Sequence, residues 1–125
     1  MTGTNDKALT VARAYFDAMD KKDVDAIVAL SAQDVVCISP VGRLEGVQAF
    51  TGFQTGFAKM IKSLKLLAAF GDGEQAVIVY EADTYPVANA IVAEYIMIRD
   101  GKITSTNVIY DGAPFAAYLA TVQPH

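Results

Sequence analysis

The sequence predicts an α+β domain in which helices come first and an antiparallel sheet follows. Up to Met60, apolar residues recur every three or four positions, as they do on one face of a helix. Beyond Leu64 the apolar residues alternate with polar ones, and the alternating segments are separated by sequences typical of tight turns. Helices followed by successive strands favour helices gathered on one face of the sheet. A length of 125 residues fits a single domain, residues 1–125.

Three helices are predicted before the sheet. The first covers residues 5–20, where Asn5 or Asp6 can cap the first turn. The second is short, residues 24–30, with Asp23 as its cap. The third follows Gly46 and carries one strongly aromatic face, made of Phe50, Phe53, Phe57 and Met60.

The strands are predicted from β-branched and alternating segments. A short strand at 35–38 ends before Pro40, and residues 43–45 are long enough only for a stub of strand. Four longer strands then follow in succession, at residues 64–70, 75–85, 90–99 and 102–110. The sequence Asp100-Gly101 is a strong signal for a two-residue hairpin turn.

Charge and apolar run lengths exclude two classes of partner. The net charge of −4 works against binding to nucleic acid, and Lys59, Lys62 and Lys65 are expected to form only a solvated face. The longest apolar runs have about five or six residues, far fewer than the roughly 20 that a membrane-spanning helix needs. The N-terminal residues contain no apolar signal core, and the single cysteine cannot form an intramolecular disulfide. A cytoplasmic location is therefore expected.

Few side chains remain that could carry chemistry. The single histidine is the last residue, His125, which excludes most zinc sites and histidine-based catalytic triads. No glycine-rich phosphate loop is present, so neither a metal nor a cofactor is expected. Any chemistry must come from carboxylates, tyrosines, serines, threonines or Cys37, which is more typical of a small buried residue.

The chain is unusually apolar, with 53% hydrophobic residues. Because a small domain cannot bury so much apolar material in its own core alone, the surplus is expected to line a cavity or to contact a partner.

The order of these elements resembles the NTF2-like cone fold, and more narrowly its SnoaL-like and ketosteroid-isomerase-like members. The segments that carry the resemblance are 23–30, 35–42, 96–103 and 110–115, and together they span most of the chain from about Ala8 to Phe115. The resemblance implies three N-terminal helices packed on a strongly curved mixed or antiparallel sheet that encloses an apolar cavity. It also implies a homodimer formed through the outer sheet face. Members of this fold have many activities, so function must be argued from the cavity.

Glu94 and Tyr15 are the first two candidate catalytic residues. Glu94 interrupts the apolar stretch 91–98, and an ionised carboxylate buried there without partners would be costly. The resemblance to the isomerases implies that Glu94 is a protonated acid that donates to a substrate oxyanion, and that Tyr15 is the second donor. The alternatives are an exposed or ion-paired Glu94 and a Tyr15 that only packs in the core.

Asp111 and Ser39 lie near the other end of the sheet. Cyclases that are SnoaL-like use an acid near this end of the sheet for proton transfer, which makes Asp111 the third candidate catalytic residue. Strict alternation places Asp111 on the opposite face from Tyr110, unless a bulge before Gly112 reverses it; the alternative is a turn or cap to residues 113–120. Isomerases place their proton-shuttling Asp where this chain has Ser39. Ser39 is a poor base, so it is expected to line the cavity by hydrogen bonding or to belong to a turn.

The function that these residues favour is the binding of a small hydrophobic ligand, such as a cyclic or polyketide-like carbonyl compound. If the protein is an enzyme, we expect cofactor-free acid/base chemistry next to a carbonyl, with Tyr15 and Glu94 stabilising the enolate and Asp111 moving the proton. The alternative from another class is a binding or interaction module without turnover. Epoxide hydrolysis ranks last, because Arg99 lies at a hairpin. The remaining expected ligand contacts are Phe57, Met60, Val108 and Tyr110.

Overall fold

A computed structural model describes residues 6–122 of the chain, with the side chains of residues 7–117. The helices are α1 (Asp6–Asp20), α2 (Val24–Ala29), α3 (Val47–Met60) and α4 (Ala113–Val122). The strands are β1 (Ser31–Ser39), β2 (Gly42–Glu45), β3 (Ile61–Asp72), β4 (Gln75–Thr84), β5 (Ala90–Arg99) and β6 (Lys102–Ile109). The predicted α+β class is confirmed. Within residues 6–122, no helix is both long and apolar enough to cross a membrane.

The described strands form one mixed sheet in the order β2-β1-β6-β5-β4-β3. Strands β3 to β6 make the predicted antiparallel meander, while β1 runs parallel to β6 and antiparallel to β2. The pairing of β3 with β4 shifts register between Leu66 and Ala68, and that of β5 with β6 shifts between Met97 and Ile98. Such bulges bend a strand and increase its twist.

Two elements differ most from the prediction. Strand β1 begins at Ser31 rather than at residue 35, because Ser31 already pairs with Ile103 of β6 across a register shift. Helix α4 adds a fourth helix to the three predicted. Its sequence is almost entirely apolar, so it lacks the apolar and polar faces that reveal a helix in a sequence.

The sheet has an inner face, which carries the buried side chains of β4 and β5, and an outer face, which carries the exposed ones. Burial alternates strictly along both strands, as in Ile78, Tyr80 and Ala82 of β4. Helix α1 packs across the inner face of β3 to β5, and α3 packs against β1 and β2. The core lies between these helices and the inner face.

Candidate active site

A cavity of about 460 Å³ opens where α3 faces the inner side of the sheet. That volume falls within the range of small-molecule sites. Its wall is mainly apolar and includes five aromatic side chains, Phe53, Phe57, Tyr80, Tyr110 and Phe115. Lys59, in the last turn of α3, is exposed and is the one cation among the described residues that line the cavity.

Glu94 of β5 is the buried acid of this cavity. Its side chain is on the inner face, belongs to the cavity wall and is only 1% exposed. The meander brings Val108 and Tyr80 beside it. Val108 of β6 pairs directly with Glu94, and Tyr80 of β4 pairs with Val92, which lies two residues before Glu94 on the same face. Alternation along three adjacent strands thus places a carboxyl group in an apolar wall.

Three hydroxyl groups donate hydrogen bonds to the Glu94 carboxylate. The hydroxyls of Tyr15 and Thr106 lie 2.7 and 2.8 Å from Oε1, and the Tyr80 hydroxyl lies 2.5 Å from Oε2. Behind them, Nε2 of Gln54 donates to the Tyr15 hydroxyl oxygen at 3.0 Å. Residues of α1, β4 and β6 therefore hold the Glu94 carboxyl group directly, and Gln54 of α3 supports it through Tyr15.

The three hydroxyl donors around Glu94 can satisfy an ionised carboxylate. Because the Tyr15 oxygen accepts from Gln54, its own proton is directed at Glu94. A carboxylate can accept about four hydrogen bonds, and Oε1 receives two here while Oε2 receives one. A protonated Glu94 could donate to a group in the cavity, or to one of these hydroxyls, whose proton would then need another acceptor. For Tyr80 the remaining neighbour is Sδ of Met19, at 3.9 Å, which is a weak acceptor.

Burial and hydrogen bonding act on the Glu94 pKa in opposite directions. Burial raises it, the bonds from Tyr80, Tyr15 and Thr106 lower it, and burial prevails, so the pKa lies above its usual value. When ionised, Glu94 is therefore a stronger base than an ordinary glutamate. Burial first and the Glu94 charge second raise the pKa of both Tyr15 and Tyr80 well above the usual phenol value, so both phenols stay protonated as donors.

Other chemistry-bearing side chains are less suited to reaction. Burial, and then the charge of Glu94, raise the pKa of the Cys37 thiol to about 12, so this thiol stays protonated and is a poor nucleophile. In residues 6–122, no three His, Cys, Asp or Glu side chains are grouped so that they could hold a metal ion.

The structure brings five of the eight predicted site residues to the cavity wall, namely Glu94, Phe57, Met60, Val108 and Tyr110. Tyr15 is completely buried behind that wall and reaches the site through its bond to Glu94. Its proton is directed at Oε1 rather than at the cavity, so its position does not fit the expected direct donation to a substrate oxyanion.

Asp111 and Ser39 are not among the residues that line the cavity, and each makes the turn contact that was its alternative. Asp111 is exposed, and its Oδ1 accepts from the backbone N–H of Ala113 at 3.1 Å, so it makes the turn that leads into α4. The Ser39 hydroxyl oxygen accepts from the backbone N–H of Val41 at 3.3 Å, which is a turn interaction.

Three residues of the site were not identified from the sequence, namely Tyr80, Thr106 and Gln54. Tyr80 and Thr106 share the inner-face alternation of Glu94, a signal that would have placed them on the same side. Gln54 is the polar residue within the aromatic stripe of α3, four residues after Phe50. A buried polar side chain at such a position needs a partner, and Gln54 is only 2% exposed.

Solved structures with the same fold support this architecture. A protein from Kribbella flavida DSM 17836 is 34% identical to this chain, with a TM-score of 0.87 over 93% of this chain and 96% of that one. A proposed ketosteroid isomerase from the same organism is 19% identical, with a TM-score of 0.78 over 87% and 81% of the two chains. A proposed polyketide cyclase from Sinorhizobium meliloti is 24% identical, with a TM-score of 0.72 over 79% and 93%. The predicted NTF2-like fold is thereby confirmed.

Sequence comparison gives the family. No match is found among curated proteins, whereas the family model described as "SnoaL-like domain" matches residues 12–106. That range covers well over half of the chain and includes α3, β4, β5 and Thr106 of the site. This chain belongs to the SnoaL-like domain family.

Proposed function

We propose that this SnoaL-like protein binds a small apolar ligand in the cavity and catalyses proton transfer at a carbon next to a carbonyl, with Glu94 as the base. The observation that carries the proposal is a buried carboxylate, held by three hydroxyl donors, in the wall of a cavity of about 460 Å³. A base in an apolar, water-poor site is stronger than the same base in water.

The proposed step balances without another reactant. The C–H bond next to the carbonyl breaks and its proton moves to Oε2 of Glu94. Its electron pair forms the C=C bond of the enolate, and the π electron pair of the C=O bond moves to the oxygen. Protonated Oε2 can then donate to the Tyr80 oxygen, which releases the Tyr80 proton to stabilise the enolate oxygen. Return of the proton to another carbon gives an isomer of the substrate. General acid/base catalysis of this kind contributes about 10²- to 10⁴-fold.

The position of Tyr80 supports this role better than the position of Tyr15 does. Tyr80 belongs to the cavity wall and is bonded to Oε2, whereas Tyr15 lies behind the wall. Fold neighbours described as a proposed ketosteroid isomerase and a proposed polyketide cyclase are compatible with a small-molecule enzyme, but at 19% and 24% identity they support only the fold.

A ligand-binding module without turnover is the second candidate. It is favoured by the position of Asp111, which is exposed and engaged with Ala113, and by Ser39, which stands where the isomerases carry an acid. The site thus has one carboxyl group rather than two, and Glu94 would have to both remove and return the proton.

Hydrogen–deuterium exchange of 2-tetralone in D2O, followed by proton NMR, tests the catalytic proposal. We expect the protein to accelerate loss of the protons next to the carbonyl, and Glu94→Gln to reduce that acceleration by about 10²-fold or more. Asp111→Asn is the matched control and should exchange at the wild-type rate. Binding of the ketone without accelerated exchange would support the module, and neither binding nor exchange would contradict both candidates.

We also propose a homodimer formed through the outer sheet face. Rows of cross-strand neighbours there are apolar, as in Phe70, Val77 and Tyr95, and in Val79, Ala93 and Ile109. Phe70 and Ile109 are 68% and 55% exposed. Apolar side chains that lie side by side across several strands favour contact with a partner over contact with water, and a second copy would bring an identical apolar face.

A further inference from the structure

The charge and the hydrogen-bonding capacity of Glu94 restrict what can bind beside it. Three protein donors occupy three of about four acceptor positions of the carboxylate, so Oε2 can accept one more hydrogen bond. These three donors are neutral hydroxyls, and within the described residues no ion pair includes Glu94. The ionised site therefore holds a negative charge without a positive partner.

The walls around this carboxylate are aromatic. Phe53, Phe57, Tyr80, Tyr110 and Phe115 all belong to the cavity lining. Aromatic rings attract cations through their electron-rich faces, most strongly where water is excluded. Lys59, the cation of the described lining, is solvent-exposed, so it is hydrated rather than bound among the rings.

We propose that the cavity selects a hydrophobic amine in its protonated form, whose N–H donates to Oε2 of Glu94 while its apolar body packs against the aromatic walls. This inference rests on the ligand-binding half of the proposed function and not on turnover. A carbonyl group brings only acceptors to the ionised carboxylate, whereas an ammonium group brings both donors and the complementary charge. An amine and a ketone would compete for the same position.

Isothermal titration calorimetry with three ligands of similar shape tests the inference at about pH 8, which lies well above the ordinary carboxyl pKa and below that of alkylamines. The ligands are 1-naphthylmethylamine, 1-naphthalenemethanol and 1-methylnaphthalene. We expect the amine to bind about tenfold or more tightly than the alcohol, because the ammonium group adds a charge opposite to that of the carboxylate, whereas the alcohol brings only a neutral donor. The methyl compound should bind most weakly of the three.

Glu94→Gln separates the carboxylate from the rest of the cavity, since it keeps the side-chain shape and removes the charge. It should abolish the preference for amine over alcohol, provided that circular dichroism shows it to be folded. Glu74→Gln is the matched control, because Glu74 is exposed in the turn between β3 and β4 and its loss changes the net charge by the same amount. This variant should keep the wild-type preference.

The outcomes distinguish this inference from the proposed function. Equal binding of amine and alcohol by the wild-type protein would overturn the inference, whether or not Glu94→Gln folds, and would leave the ketone-exchange proposal standing. A preference that survives in folded Glu94→Gln would overturn it too. Failure of all three ligands to bind would count against any apolar ligand in the cavity, and so against the ligand-binding half of the proposed function as well.

Discussion

At the scale of single residues, Glu94 depends on its neighbours for its charge. Removing a carboxylate from water costs several kcal/mol, and a hydrogen bond to a charged group returns about 1.5–3 kcal/mol. Tyr15, Tyr80 and Thr106 supply three such bonds. They oppose the desolvation of Glu94 without cancelling it, because its pKa remains above the usual value. Burying the ionised Glu94 carboxylate therefore lowers the free energy of unfolding.

The pH dependence of stability tests this account. Folded Glu94 has a pKa above its ordinary value of 4.5, so the folded state binds the proton more tightly than the unfolded state does. The contribution of Glu94 to the free energy of unfolding should therefore be greatest at low pH, fall as pH rises above about 4.5, and level off above the folded pKa. Urea unfolding of the wild type and of Glu94→Gln at several pH values measures it.

The expected result is a wild-type stability that falls, relative to Glu94→Gln, as pH rises through that window. Glu74→Gln, which changes an exposed carboxylate, should follow the pH profile of the wild type. Parallel profiles of the wild type and Glu94→Gln would show that the Glu94 pKa is the same in the folded and unfolded states.

The sequence identified the residue but not its surroundings. Glu94 could be found because a charge interrupts an apolar strand, and Tyr15 because it lies on the apolar face of α1. Their contact joins residues 79 positions apart, and strand alternation indicates the face of a side chain but not which residue of another element will meet it. The same limit explains why Thr106 and Gln54 were missed.

At the scale of elements, α1 packs closely against β3. A Cβ atom added at Gly71 of β3 would lie 2.8 Å from both the backbone N and the Cβ of Leu9 in α1. Helix α1 in turn presents small buried residues such as Ala8 and Ala12. The absence of a side chain at Gly71 thus allows the helix carrying Tyr15 to approach the strand.

Gly71→Ala should lower the free energy of unfolding by about 1–3 kcal/mol, as overpacking does when backbone must move. Gly56→Ala is the matched control, because a Cβ at Gly56 of α3 meets nothing within 4 Å. Alanine is a better helix former, so that variant should gain about 0.5–1 kcal/mol. Urea unfolding monitored by circular dichroism measures both changes, and a Gly71→Ala variant as stable as the wild type would contradict the close packing of α1.

Periodicity predicted the elements whose two faces differ. The helices α1 and α3 and the strands β3 to β6 each have one buried and one exposed side, which gives a repeating pattern in the sequence. Helix α4 has almost no polar side, and the first residues of β1 are defined by pairing with β6 rather than by alternation. Elements of this kind are determined by contacts with distant residues.

At the scale of the whole molecule, one sheet carries two different apolar surfaces. Its inner face forms the core and the cavity wall, and its outer face leaves Phe70, Tyr95 and Ile109 exposed. The high apolar content of the chain is divided between these two faces. A ligand would cover part of the first, and a second copy of the chain would cover the second.

Sedimentation velocity tests the proposed dimer. A stable dimer needs about 800 Å² of buried surface on each partner. Val77→Lys places a charge between Phe70 and Tyr95, its cross-strand neighbours, and burying that charge in an apolar contact is costly. We expect the wild type to sediment as a dimer at micromolar concentration and Val77→Lys to sediment as a monomer. Thr10→Lys, on the exposed side of α1, should remain dimeric, and a wild type that is monomeric throughout would refute the proposed use of the outer face.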